Sequence, residues 1–322
     1  MRRTVMNVLA AAAIAAAPLA AQSSAPRSAW TPTKTTFGHP DLQGVWVNPT
    51  LTPFERPAAL KDKTVLTEAE AADIEKRAAT RRQEDGPPAA GDVGTYNQFW
   101  TDSGDKVVST RRTSLVVDPP DGRVPLKPEA EAKRDYNHAH EGDSYTFMSV
   151  WDRCITRGIP SGMFPAGYNN AYQIIQSKDY VTIQYEMIHE TRVIALDGRP
   201  HLPKTVRLWN GDSRGRWEGS TLVVDTTNFS DKGWIATQAA AGRIKGIPQS
   251  ERLHVVERFT PVDANTITYE VTIDDPEYYT RPWTVSIPLH RDRQYQIYEY
   301  ACHEGNHAVA GILAGARVKD KR

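Results

Sequence analysis

The stretches RLHVVERFT (residues 252–260) and NTITYEVTID (residues 265–274) are the clearest structural signal in this chain. Both are rich in β-branched and aromatic residues, which suit the pleated surface of a sheet. Turn sequences such as LDG (196–198) and NGD (210–212) separate most segments of this kind. The remaining predicted strands are residues 171–177, 180–196, 204–209, 221–227, 282–289 and 294–301. Because no helices alternate with them, the sequence predicts an antiparallel sheet.

A sheet of so many strands removes its exposed edges by closing on itself or by folding into two layers. We therefore predict a mainly β fold whose centre is a closed antiparallel barrel over residues 171–307, with a two-sheet β-sandwich as the alternative. The preceding residues 41–170 are expected to be partly irregular and partly helical. Residues 41–322 together are predicted to form a single β-rich domain.

Helices are predicted at three places outside the barrel strands. Thr67, followed by acidic residues, is a plausible N-cap for a helix that runs to about Arg82. Residues 127–136 indicate a short charged helix, and residues 308–317 a short helix or coil on one barrel end. Residues 107–117 are expected to be strands.

The first 21 residues have the pattern of a secretory signal peptide. Arg2 and Arg3 precede an apolar run from Val5 to Leu19, and the small residue Ala21 marks the expected cleavage point. The run is shorter than the roughly 20 residues that span a bilayer. We expect a periplasmic or secreted protein without a stable membrane anchor, beginning with a flexible lead-in over residues 22–40.

Charge and motifs exclude several classes of function. Lys and Arg total 39, as do Asp and Glu, so the formal net charge is zero and nothing favours a nucleic-acid partner. The chain contains no G-x-S-x-G, no glycine-rich phosphate loop and no C-x-x-C. Serine hydrolases, nucleotide-dependent enzymes and thioredoxin-like proteins therefore lose their main support.

Cys154 and Cys302 are the only cysteines. In an oxidising compartment two distant cysteines usually pair, so a disulfide is expected, with free thiols as the alternative.

Four phrases carry a resemblance to other proteins; they are DLQGVW (41–46), RTSLVVDPPDGR (112–123), GDSRGRWEG (211–219) and YEYACHEGN (298–306). Together they resemble a large group of exported bacterial proteins whose function is unsettled. The resemblance implies a shared fold and a periplasmic or secreted setting, but no reaction, cofactor or active site. The Gly44-Val45-Trp46 start also resembles lipocalin-type barrels, in which the tryptophan closes one barrel end.

His189 is the first candidate for chemistry. Strict alternation along residues 180–196 places it on the same mostly apolar face as Val181, Ile183 and Tyr185, which predicts that it points inward. An inward histidine is either a structural group or, beside a ligand cavity, a general base. Arg192 falls on the opposite, more polar face.

His303 to His307 match the H-E-x-x-H pattern of zinc proteases. Gly305 and Asn306 are poor helix formers and a predicted strand precedes them, so no common helical face is expected. We interpret His303 and Glu304 as a polar cluster at a strand end, with no metal and no cofactor.

Five further residues have both a structural and a functional interpretation. Asp225 either caps a turn or orients a histidine. Arg214, and Arg216 beside it, lie in a predicted hairpin turn or bind a ligand oxygen. Tyr168 and Asn169 form a turn or a rim that hydrogen-bonds a polar ligand end.

The sequence favours a metal-free enzyme that acts by acid–base catalysis on a small, partly apolar molecule, as a lyase, isomerase, hydratase or cyclase. In this hypothesis His189 and His303 are base and acid, and Glu304 or Asp225 orients them. The predicted substrate-binding residues are Tyr168, Asn169, Arg192, Arg214 and Trp46. The alternatives are a lipocalin-like carrier of a hydrophobic ligand and an envelope-associated structural protein. The oligomeric state is left open.

Overall fold

The computed structural model describes residues 30–83 and 101–320. Every element named below lies in one compact unit that begins at Pro32. The predicted signal peptide falls outside the described residues, as does the lead-in before residue 30. Residues 33–41 form a hydrogen-bonded hairpin turn, in which the Asp41 amide donates to the Thr33 carbonyl at 2.8 Å.

Ten strands form one sheet. They are β1 (Gly44–Val47), β2 (Val116–Asp118), β3 (Ala171–Gln176), β4 (Tyr180–Tyr185), β5 (Thr191–Ala195), β6 (Asp212–Glu218), β7 (Thr221–Thr227), β8 (His254–Asp263), β9 (Thr266–Asp274) and β10 (Trp283–Arg291). Neighbours run in the order β1-β3-β4-β5-β6-β7-β8-β9-β10, and β1 also pairs with β10. Nine strands therefore close into a barrel, which confirms the predicted fold. The short β2 pairs with β10 beside β1.

Three α-helices lie outside the barrel: α1 (Glu68–Gln83), α2 (Pro128–Ala139) and α3 (Ala308–Asp320). Thr67 caps α1 as predicted. Its hydroxyl accepts from the Glu70 amide at 3.2 Å, and the Glu70 carboxylate accepts from the Thr67 amide at 2.8 Å. Helix α3 has no buried residue, so it does not pack as closely as expected for a barrel end.

The hairpin β8–β9 shows why these residues form a barrel wall. Val255 and Phe259 alternate with exposed or half-buried residues, and so do Tyr269 and Val271 on the partner strand. One face of each strand is thus buried and the other faces outward, as the period of two requires.

The weakest junction of the barrel is between β5 and β6. These strands run parallel and pair only at Ala195 and Arg214, whereas the other pairs in the ring are antiparallel. Gly215 allows a close approach there, because a Cβ at this position would lie 2.7 Å from Leu196 Cδ2. The sequence GDSRGRWEG, expected to be a turn, is mostly strand β6.

Three predicted strands differ from those observed. Residues 204–209 contribute only an isolated bridge from Leu208 to Phe229, residues 294–301 form no strand, and of residues 107–117 only Val116 and Val117 lie in one. Residues 180–196 are not one strand. A turn at Met187–His189 interrupts them, with left-handed φ angles of 63° at Ile188 and 43° at His189.

This interruption reverses the inward and outward positions. Val181, Ile183 and Tyr185 are buried as predicted, but beyond the turn it is Arg192 that is buried while Val193 is exposed. The prediction that His189 points into the barrel is therefore wrong. Alternation continues only through an unbroken strand, and the extra residues of the turn shift its phase.

Large and polar side chains fill the inner face of the barrel. Arg192 and Glu257 form an ion pair at 2.5 Å with almost no exposure of either side chain. Arg192 also donates to Ser213 at 3.0 Å and to Thr226 at 2.9 Å. Tyr269 donates to Glu257 at 3.0 Å, and burial raises the pKa of Tyr269 well above its usual value, so the hydroxyl stays protonated.

We expect Glu257→Gln to lower the free energy of unfolding by about 3–5 kcal/mol, because it leaves a buried guanidinium without its counter-charge. Urea denaturation at pH 7 measures this loss. The control is Asp179→Asn, an exposed carboxyl in the turn between β3 and β4, which should change stability by less than about 0.5 kcal/mol. The double variant Arg192→Met/Glu257→Leu should cost less than Glu257→Gln alone; additive losses would contradict this account of the pair.

Candidate functional site

The described part of the chain beyond β10 forms no strand, and side-chain contacts hold it to the rest of the protein. Cys154 and Cys302 form the predicted disulfide, with their Cα atoms 5.7 Å apart. Tyr295 donates to both carboxylate oxygens of Glu186, at 2.9 and 2.8 Å. Burial and this carboxylate raise the pKa of Tyr295, which therefore remains a donor. Residues 292–307 are thus held against the turn that separates β4 from β5.

His189 lies on that turn, exposed, and is oriented by the attached segment. Its Nδ1 is 2.7 Å from the carbonyl oxygen of Tyr300. A carbonyl only accepts, so Nδ1 carries the proton and Nε2 is the basic nitrogen. The centroid of the His303 ring is 6.3 Å from that of His189. The two predicted catalytic histidines are therefore neighbours, at the turn that joins β4 to β5.

A shallow hollow of about 570 Å³ lies beside this segment. Trp151, Tyr168, Tyr300 and Glu304 line it, together with the disulfide. Asn169 follows Tyr168 with a left-handed φ of 52°. The structure thus brings Tyr168 and Glu304 to one hollow. His189 and His303 do not line it, but His303 lies between Cys302 and Glu304, which do, and His189 contacts the lining residue Tyr300.

The structure does not bring the other predicted residues to this hollow. Arg192 is inside the barrel with Glu257, and Arg214 is bonded to Asp212 at 3.1 Å. Trp46 is buried, donates to the Leu42 carbonyl at 2.8 Å, and lies 4.2 Å from the guanidinium of Arg291. These three residues are predicted to bind substrate, but their contacts are structural.

Asp225 contacts two histidines, as one of its two interpretations predicts. They are His201 and His254, not His189 and His303. Its two carboxylate oxygens lie 2.9 Å from His201 Nε2 and 2.9 Å from His254 Nε2. His201 Nδ1 is in turn 2.9 Å from Asp212. These four side chains form a continuous hydrogen-bonded array on the outer face of β6, β7 and β8.

Sequence reasoning missed His201, Asp212 and His254. Asp212 was assigned to a turn, and His201 lies outside any strand. His254 and Asp225 are near each other only because Asp225 pairs with Val256 across β7 and β8, which places His254 diagonally. Period-two analysis of each strand would place Asp225 and His254 outward, but only the strand register shows that they meet.

The residues of the H-E-x-x-H pattern form a turn, and α3 begins only at Ala308. The two histidines therefore do not share a helical face. In the part of the chain that the structure describes, no helix has the length and apolar composition needed to span a bilayer. Comparison with protein-family models, curated proteins and solved structures finds no match.

Asp212 gives the array a pH dependence. Burial acts to raise its pKa, but hydrogen bonds from the Leu202 amide and from Arg214 and His201 outweigh this and lower it. A lowered folded-state pKa means that the contribution of Asp212 to stability is present above the unfolded value of about 3.9 and is lost as pH falls through the folded value.

We expect Asp212→Asn to lower the free energy of unfolding at pH 7 by on the order of 1 kcal/mol, a value reduced by solvent screening. The difference from the wild type should shrink below about pH 4. Urea denaturation at pH 7 and pH 3 measures it. Glu129→Gln, an exposed carboxyl on α2, is the control and should show no such convergence; a difference at pH 3 as large as at pH 7 would rule out the linkage.

Proposed function

We propose that this chain is an exported, metal-free enzyme that uses acid–base catalysis on a small, partly apolar molecule, as a lyase, isomerase, hydratase or cyclase. The barrel and the disulfide are compatible with a secreted or periplasmic protein. The proposal rests on one observation: His189 is fixed by the Tyr300 carbonyl with its ring 6.3 Å from that of His303.

The residues divide into roles that acid–base chemistry requires. His189 Nε2 accepts a proton from the substrate, and protonated His303 gives one to the leaving group or the developing oxyanion. Tyr168 offers a hydroxyl that stabilises negative charge, and Glu304, which lines the same hollow, is the group that orients an imidazole. An imidazole suits both proton transfers because its usual pKa is near neutral.

Left-handed backbone supports this location. Cys154, Asn169 and His189 all have positive φ without being glycine, at 52°, 52° and 43°. Each such residue costs on the order of 1–3 kcal/mol, and such residues concentrate at active sites and ligand clamps. All three border the hollow or its attached segment.

A lipocalin-like carrier is the alternative function. A carrier needs an apolar cavity with polar groups at its mouth. Here the inner faces of the strands hold Tyr185, Arg192, Glu257 and Tyr269, and none of five hollows of about 240 to 750 Å³ is lined by an inward-facing barrel residue. The outer hollow is therefore the better candidate site.

The test is turnover of small molecules extracted from the cell envelope, followed by mass spectrometry. We expect His189→Ala and His303→Ala each to slow the conversion by about 10²- to 10⁴-fold, the usual contribution of a general acid or base. His140→Ala is the matched control, since His140 stacks on Tyr136 in another part of the fold.

Far-ultraviolet circular dichroism should show the same strand content in all three variants. Wild-type rates in His189→Ala would remove this residue from the mechanism. Recovery of a bound molecule that the wild type leaves chemically unchanged would favour the carrier.

A further inference from the structure

Arg157 is buried behind the hollow without a carboxylate partner. The residue is only 4% exposed, and its guanidinium forms no ion pair with any described residue. Glu190 is close, but its donors are Thr156, Asn210 and, at 3.4 Å, the Arg157 backbone amide, and not the guanidinium. Buried charges in proteins are normally paired, so this one requires an explanation.

The polar contacts of the guanidinium are few. Nη2 donates to the side-chain oxygen of Gln238 at 3.1 Å, and this oxygen also accepts from Ser161. Nε is buried and has no partner among the described residues. Burial lowers the pKa of Arg157, as expected where no anion compensates the charge.

Arg157 does not itself line the hollow, but three of its neighbours do. Its guanidinium lies 5.4 Å from the centre of the Trp151 ring, and it interacts electrostatically with the buried Tyr172 and with Tyr168 and Tyr300. Trp151, Tyr168 and Tyr300 all line the hollow. The indole N–H of Trp151 is also buried without a partner among the described residues. Two buried donors without a partner among the described residues therefore belong to neighbouring side chains, and both need an acceptor.

We infer that Arg157 binds an anionic group of the substrate, a carboxylate, which enters the hollow between Trp151, Tyr168 and Tyr300. A carboxylate matches the planar fork of the guanidinium and supplies the missing acceptor for Nε. The aromatic side chains accommodate an apolar portion of the same molecule. This inference rests on the proposed function, because it names the substrate class of the same site.

Benzoate and benzamide are suitable probes, since they share shape and apolar area but differ in charge. Calorimetric titration of the purified full-length protein at constant ionic strength should show benzoate binding at least about 10-fold more tightly than benzamide. Arg157→Gln should weaken benzoate binding by about 10- to 100-fold and leave benzamide unchanged. Arg157→Lys keeps the charge but loses the fork, so its affinity should be intermediate.

Arg207→Gln is the matched control. Arg207 lines a different hollow with His201 and Lys204, so its removal should leave benzoate binding unchanged. Equal affinity for benzoate and benzamide, or an equal loss in both glutamine variants, would overturn the inference.

A crystal of the wild type with 4-bromobenzoate decides the matter even if Arg157→Gln fails to fold. Anomalous scattering should place the bromine in the hollow and the carboxylate against Arg157; a carboxylate located elsewhere would refute the site. The two proposals fail separately. If the wild type prefers benzoate but the histidine variants keep full turnover, only the catalytic proposal is refuted. If the histidine variants are slow but the wild type does not prefer benzoate, only the anion site is refuted.

Discussion

The rest of the arrangement depends on one turn, which is closed where the Tyr185 amide donates to the Glu190 carbonyl at 2.8 Å. Between these residues the chain reverses direction and joins the antiparallel strands β4 and β5. Ile188 and His189 adopt left-handed conformations to make this possible. Tyr295 donates a hydrogen bond to the Glu186 carboxylate, and Thr156 donates one to the Glu190 carboxylate. The strained turn persists because its neighbours hold it in place.

The same turn determines what lies inside and what lies outside. Because of it, His189 lies at the surface and Arg192 lies in the interior, where it forms an ion pair with Glu257 of β8. It also provides the attachment for residues 292–307, which contact the wall through Tyr295 and His189 and are fixed by Cys302. The barrel closes through β1 and β10 without these residues. Residues of this segment instead form part of the wall of the hollow that Trp151 and Tyr168 also line.

The sequence predicts the features that depend on local composition. Runs of β-branched residues give the barrel, Thr67 with Glu70 gives the start of α1, and a pair of distant cysteines gives the disulfide. The features it misses depend on register. The turn at Met187–His189 contains none of the usual turn residues, so the sequence predicts one strand with side chains alternating inward and outward through residues 180–196. Glu257 occupies an inward position of a strand, but its partner Arg192 is 65 residues away and could be placed only after the phase shift was known.

The two buried arginines behave differently, and the difference follows from their positions. Arg192 is enclosed by strands, and the chain itself supplies Glu257, Ser213 and Thr226 as acceptors. Arg157 is just as inaccessible, yet among the described residues its guanidinium donates to Gln238 alone and its Nε has no partner. A guanidinium in the interior has to be compensated from within, because nothing else can reach it. One behind an open hollow can be compensated by a ligand. The contrast between a fully paired guanidinium inside the barrel and a barely paired one behind the hollow is therefore the physical basis of the proposed anion site.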